Sequence, residues 1–92
     1  MKLIYCPNCH DVVKMADSLS ARPNTCDCGQ SWGEYTDNGL NAVYGGLAVP
    51  LGFDNFTLMR ALRHRPQSGD GARFTAFVIP HECDTCRKVE GK

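Results

Sequence analysis

Two pairs of cysteines near the start of the chain constrain its fold more than any other feature. The first pair is Cys6 and Cys9, and the second pair, Cys26 and Cys28, follows after sixteen intervening residues. Four thiolates with this arrangement can enclose one tetrahedral Zn²⁺ ion. We therefore predict one zinc site that has these four cysteines as its ligands.

The second pair departs from the usual zinc pattern, because one residue separates Cys26 from Cys28 instead of two. On an extended strand the two side chains would lie far apart, so the spacing requires a tight bend at Asp27. Gly29 can take a positive φ and let the backbone wrap closely around a thiolate. If the bend does not form, His10 is the nearest substitute ligand. Four protein ligands fill the metal's shell, which predicts a structural rather than a catalytic ion.

The 92 residues are enough for one domain with a modest core, which a metal would help to stabilise. Six cysteines also fit three disulfides of a secreted domain. However, residues 1–7 are too short and too soon polar for a signal peptide, and the cysteines cluster in pairs. No run approaches the ~18 apolar residues of a membrane span. We expect a cytoplasmic protein without a membrane partner, and metal ligands rather than disulfides.

Short β-rich segments and one helical segment make up the rest of the chain. We predict an α+β fold, a small β-rich single domain over residues 1–92 with an N-terminal zinc-ribbon-like knuckle pair and one short helix. Its parts are a zinc-ribbon-like part at 3–35, a glycine-rich β body at 36–80 with a helix at about 55–64, and a cysteine-containing tail at 81–92. Strands are expected at 3–5, 11–15, 31–35, 40–44, 47–49 and 73–79, the last of them central in its sheet.

Turn and cap residues place the ends of these elements. Asp37-Asn38-Gly39 is a turn signal, and Gly45-Gly46 and Pro50 are expected to end the strands before them. Asp54 or Asn55 can cap the helix. Within that helix three apolar residues are spaced three apart and share a face: Phe56, Met59 and Leu62.

A third group of metal-binding residue types lies in the tail, at His81, Cys83 and Cys86. One interpretation is that these residues form part of a second zinc site, with His64 or His10 as its fourth ligand. The alternative is a pair of free thiols on a frayed tail, and both interpretations stay open.

The net charge is zero, but residues 60–92 carry seven basic against four acidic groups. Arg60, Arg63, His64 and Arg73 form a basic block that can recognise phosphate. A solvated helix face is the other interpretation of this block.

The segment 35–53 is rich in glycine and aromatic residues. One interpretation is a ligand pocket lined by neutral polar groups of this segment and of the asparagine that follows it, and the other is simple hairpin packing. The candidate pocket residues are Asn41, Tyr44 and Asn55.

Two resemblances follow from these motifs. Residues 3–35 resemble zinc-ribbon proteins. The whole chain resembles small phage and prophage proteins that have a cysteine-pair head and a glycine-rich body. This resemblance implies binding that blocks a host factor or sequesters a nucleotide signal of host defence. The motifs that carry it are Cys26-Asp27-Cys28-Gly29, Gly39-Leu40-Asn41-Ala42, Val49-Pro50-Leu51-Gly52-Phe53 and Phe74 to Pro80.

The functional hypothesis is a zinc-stabilised, non-enzymatic protein that binds an anionic small molecule such as a nucleotide signal. The alternatives are a protein–protein inhibitor or adaptor, a nucleic-acid-binding ribbon, and a small enzyme. A homo-oligomer also stays open. Recognised catalytic motifs are absent from the sequence, so an enzyme would have to draw a Cys–His pair from the tail cysteines with His64 or His81.

Overall fold

The computed structural model describes residues 1–37 and 39–90. Asn38, in the predicted turn, and the last two residues of the predicted tail lie outside the described residues. The described part has eight strands and one helix, which confirms the α+β prediction. The elements are β1 Lys2–Tyr5, β2 Val12–Lys14, β3 Asn24–Thr25, β4 Ser31–Tyr35, β5 Ala42–Gly46, β6 Val49–Phe53, α1 Asn55–Arg63, β7 Ala76–Val78 and β8 Cys86–Lys88.

The strands form two four-stranded sheets. The first sheet has the order β2-β1-β6-β7 and is antiparallel throughout. The second sheet has the order β3-β4-β5-β8, in which β8 runs parallel to β5. Consecutive hairpins therefore go to different sheets, with β1–β2 in the first and β3–β4 in the second.

The core lies between the two sheets, because its buried side chains come from both. Ile4 and Ile79 contribute from the first sheet and its edge, and Ala42, Tyr44 and Cys86 contribute from the second. The chain crosses between the sheets just after β2, where the Ala16 amide donates to the Gly33 carbonyl at 3.1 Å. The remaining buried members of this cluster are Met15 and Ala48.

One strand boundary differs from the prediction, which was wrong to end a strand at Pro50. β6 runs through Pro50 and Gly52, whereas β5 does end at Gly45-Gly46 and includes both glycines. The Pro50 carbonyl accepts from the Ile79 amide at 2.9 Å and therefore points away from β1. The nitrogen and carbonyl of one strand residue point to the same side, so the Pro50 nitrogen also points away from β1. Its missing N–H therefore removes no hydrogen bond to β1.

The prediction of a central strand at 73–79 was also wrong. The strand is only Ala76–Val78, it lies at the edge of the first sheet, and all three residues are exposed. The preceding residues leave the sheet to hold the helix. The Thr75 carbonyl accepts from the Asp54 amide, and the Thr75 amide donates to the Thr57 hydroxyl, both at 2.9 Å.

Helix α1 begins where its cap was predicted. The Asp54 carboxylate accepts from the Thr57 amide at 3.0 Å, and this bond lowers the pKa of Asp54. No residue of α1 is buried. Its apolar face is open, with Phe56 75%, Met59 52% and Leu62 66% exposed. At nine residues, α1 is also neither long nor apolar enough to cross a membrane, and the described residues contain no helix that is.

Candidate metal centre

The first cysteine pair lies on the loop that joins β1 to β2. Cys6 directly follows β1, and its amide donates to the Asp11 carbonyl at 2.9 Å. The His10 amide then donates back to the Cys6 carbonyl at 2.8 Å, and His10 itself has a positive φ of 63°. These bonds fold the loop tightly, so that Cys6 and Cys9 project from one turn.

The second pair lies on the loop between β3 and β4, and the predicted bend is present. The Gly29 amide donates to the Cys26 carbonyl at 3.1 Å, which closes a turn over Asp27 and Cys28. Gly29 has a φ of 80°, as this close turn requires. The Asp27 amide also donates to the Asp11 carboxylate at 2.9 Å. This hydrogen bond joins the two loops directly.

The four predicted ligands are brought together in a geometry that fits a tetrahedral metal ion. Their sulfur atoms all lie within 4.8 Å of one another. Cys28 Sγ is 3.7 Å from Cys6 Sγ and 3.6 Å from Cys26 Sγ. With metal–sulfur bonds of about 2.3 Å, the edge of a tetrahedron is about 3.8 Å. All six cysteines are free thiols, so no disulfide competes for these sulfurs.

The sulfur atoms of the cluster do not ionise alike. The Ser31 hydroxyl and nearby backbone amides outweigh burial and lower the pKa of Cys6 to about 6. For Cys9 the Cys28 amide favours the thiolate, but burial and hydrogen bonds shared with the Cys28 and Cys6 thiols raise its pKa to about 11. Close negative charges repel one another, and a bound cation would remove that conflict.

Polar groups around the sulfurs were not predicted from the sequence. The Asn8 side-chain amide donates to Cys28 Sγ at 3.3 Å, and the Ser31 amide donates to Cys26 Sγ at 3.2 Å. The Ser31 hydroxyl is buried and has no partner of standard hydrogen-bond geometry in the described chain. The one indication of such groups in the sequence was the position of Asn8 between the first two cysteines.

His10 is not needed as a substitute ligand, because the bend at Asp27 forms. A hydrogen bond of 2.6 Å joins His10 Nδ1 to the Tyr5 hydroxyl. The imidazole therefore already has a partner outside the sulfur cluster.

The described part of the tail does not bring together the second metal site that was one of the two interpretations left open. Cys86 lies in the core and is 0% exposed, Cys83 is half-buried, and His81 is exposed. Within residues 1–37 and 39–90, the N-terminal cluster is the only group of three or more potential ligands found close enough to hold a metal. The alternative of a frayed tail does not hold for Cys86 either, because it begins β8 and pairs with Ala42.

The residues of the predicted basic block are all exposed. Arg60, Arg63 and His64 lie in the last turn of α1 and at its C-cap, and Arg73 lies in the segment that leads to β7. The Arg60 guanidinium is 6.0 Å from the centre of the Phe56 ring, a cation–π contact.

The three neutral residues predicted for a ligand pocket have separate roles. Tyr44 is buried in the core. The Asn41 side chain donates to Asp37, and the Asn55 side chain accepts from the terminal amine of Met1 at 2.9 Å. Tyr44 therefore packs in the core, Asn41 contacts a turn residue, and Asn55 contacts the chain's first residue.

Comparisons with protein-family models, with curated proteins and with solved structures returned no match for this chain.

Proposed function

We propose that this chain is a zinc-stabilised, non-enzymatic binding protein that docks onto a partner protein through helix α1. The single observation that carries this proposal is a short helix rich in apolar residues, none of which is fully buried. The partner protein binds this surface with a groove that is apolar at its centre and acidic at its rim.

Zinc is the ion that the cluster suits best. Four thiolates at tetrahedral spacing favour zinc or iron, and a closed set of four protein ligands is typical of structural zinc. The shell has no open position for water or substrate, so the ion's role is to hold the two loops together. Because one loop extends from each sheet, the same ion joins the two sheets.

Helix α1 is too short to be stable without packing. Isolated helices of fewer than about 12–15 residues are marginal in water, and most helices in proteins are stabilised by an apolar face packed on a core. The apolar face of α1 is instead open to solvent. It is attached to the body at its first turn, through the hydrogen bonds of Asp54 and Thr57 to Thr75 and of Asn55 to the Met1 amine. A partner that covers the face supplies the missing packing.

The edge strand β7 extends this surface. Thr75, which holds the start of α1, is followed directly by β7, so the helix and the exposed strand adjoin. Phe77 and Val78 are both exposed. An unpaired edge next to an apolar helix face is a common feature of surfaces that accept another chain.

Charge favours an acidic partner over a second copy of this chain. Residues 55–69 include Arg60, Arg63 and Arg65 and contain no aspartate or glutamate. Two copies that met through α1 would bring these guanidinium groups together, whereas carboxylates around an apolar groove would complement them. In keeping with the resemblance to phage accessory proteins, we propose a host protein as this partner.

The docking surface can be tested with a matched pair of leucine variants. Leu62 lies on the open face of α1 and is 66% exposed, while Leu19, on the loop between β2 and β3, is still more exposed at 93%. A protein captured from host extract is identified by mass spectrometry, purified, and titrated against each variant. We expect Leu62→Ser to weaken the complex at least about tenfold, because an apolar anchor at an interface contributes about 2 kcal/mol or more.

Leu19→Ser is the control and should bind like the unchanged protein. Equal affinity of the Leu62→Ser variant for an identified partner would overturn the proposal. So would a concentration-dependent dimer that Leu62→Ser disrupts, because the occupant would then be a second copy.

A second candidate function, binding of an anionic small molecule, is favoured by a surface cavity beside α1. The cavity has a volume of about 360 Å³, and Arg65 lines it together with the glycine-rich segment 68–71 and the apolar side chains of Leu62 and Phe74. This volume is at the lower end of the usual range for small-molecule pockets. Calorimetry with nucleotides, repeated with Arg65→Ala, tests it; heat that is unchanged by the substitution would exclude this cavity.

A further inference from the structure

The two tail cysteines are held at a distance that a disulfide can span. The Cys86 amide donates to the Cys83 carbonyl at 3.2 Å and closes a β-turn over four residues. Such a turn keeps its first and last Cα atoms within about 7 Å, and disulfides join Cα atoms about 4.4–6.8 Å apart. The Thr85 carbonyl accepts from the Ala42 amide at 2.9 Å, so β5 fixes the turn in place.

The two thiols differ in their access to solvent. Cys86 is fully buried within the core cluster, whereas Cys83 packs against the outside of that cluster and is half-buried. Cys83 lines an open surface depression together with His81, Arg87 and Lys88. A reagent from solvent therefore reaches Cys83 first, and Cys86 can be reached through Cys83.

We propose that Cys83 and Cys86 form a redox-active dithiol that exchanges with low-molecular-weight disulfides such as glutathione disulfide. The Cys83 thiolate attacks one glutathione sulfur, the S–S bond breaks, and one glutathione thiolate leaves. The Cys86 thiol then gives up its proton and attacks Cys83 Sγ, which releases the second glutathione thiolate. Two electrons pass to glutathione disulfide, and the two thiol protons end on the two glutathione molecules.

The surroundings of each sulfur suit these roles. The Thr85 hydroxyl, 3.5 Å from Cys83 Sγ, and the Thr85 amide lower the pKa of Cys83. Burial raises the pKa of Cys86. Cys83 is thus the attacking thiol, and Cys86 is the thiol that resolves the mixed disulfide.

The burial of Cys86 also argues against a metal ion that bridges the two tail cysteines to another molecule. A bridging metal needs both sulfur atoms at the surface, and Cys86 is not exposed. A dithiol that reacts in two steps needs only Cys83 there.

The test uses the full zinc-loaded chain, incubated with glutathione disulfide and followed by intact mass and peptide mapping. The unchanged protein should lose the mass of two hydrogens and yield a linked Cys83–Cys86 peptide while it keeps its metal. Cys86→Ser should stop at one glutathione on Cys83. Cys83→Ser should slow oxidation at the tail at least about tenfold, since the exposed thiolate is the nucleophile.

Three results would overturn the proposal. The first is a tail that stays reduced in the unchanged protein, and this measurement needs no variant to fold. The second is glutathione adding to Cys86 in the Cys83→Ser variant as fast as to Cys83 in the unchanged protein. The third is oxidation confined to the N-terminal cluster, with release of metal.

Discussion

Removal of the metal is expected to unfold the whole chain rather than to loosen one loop. Structural zinc contributes about 10–16 kcal/mol of binding free energy, while small domains are stable by about 5–15 kcal/mol in total. The cluster holds a hairpin of each sheet, and the core between the sheets is small. Without the ion, the remaining packing is too little to hold the sheets against chain entropy.

Cys26→Ser measures this effect, with Cys83→Ser as the matched control. Cys26 is a buried member of the cluster, whereas Cys83 lies outside it. We expect native mass spectrometry to find one zinc per chain in the control and none in the Cys26 variant. Circular dichroism should show a cooperative melt only for the control. A Cys26 variant that melts like the control would contradict the structural role of the metal.

The features that were predicted correctly depend on residues close together in sequence. A cysteine pair defines a loop by itself, and Asp54 caps a helix by bonding Thr57 three residues later. Spacing was therefore sufficient to predict which four sulfur atoms cluster together and where α1 starts. The two loops could be placed at hairpin ends for the same reason.

The features that were missed depend on contacts between distant residues. Segment 73–79 has the composition of a central strand, but only the strand order shows that β7 has no neighbour on one side. The parallel pairing of β8 with β5 likewise joins segments about forty residues apart. The hydrogen bond from Asn8 to Cys28 Sγ required both loops to be in place.

Glycines in β5 show why a local rule was insufficient there. Gly45-Gly46 was interpreted as a strand end, in a segment predicted either to line a ligand pocket or to pack as a hairpin. In the structure, a Cβ at Gly45 would overlap the Trp32 indole, so the missing side chain makes room for the neighbouring strand's tryptophan. The partner that requires a glycine at this position lies thirteen residues earlier in the chain.

Gly46→Ala is expected to be the most damaging single-methyl change in the second sheet. Gly46 has a φ of 67°, and a Cβ there would overlap the Gln30 carbonyl. That oxygen also accepts from the Leu47 amide at 2.9 Å, so it cannot move without breaking a backbone bond. Left-handed strain and overpacking together should lower the free energy of unfolding by about 3 kcal/mol, measured by urea denaturation.

Gly69→Ala is the control that separates these two causes. Gly69 has a similar φ of 89°, but nothing lies within 4 Å of a Cβ built on it. It should therefore lose only the strain, about 1 kcal/mol. Equal losses at both positions would mean that Gln30 moves freely. A larger loss at Gly46 should be accompanied by weaker zinc binding, because Gln30 precedes Ser31, whose amide donates to Cys26 Sγ.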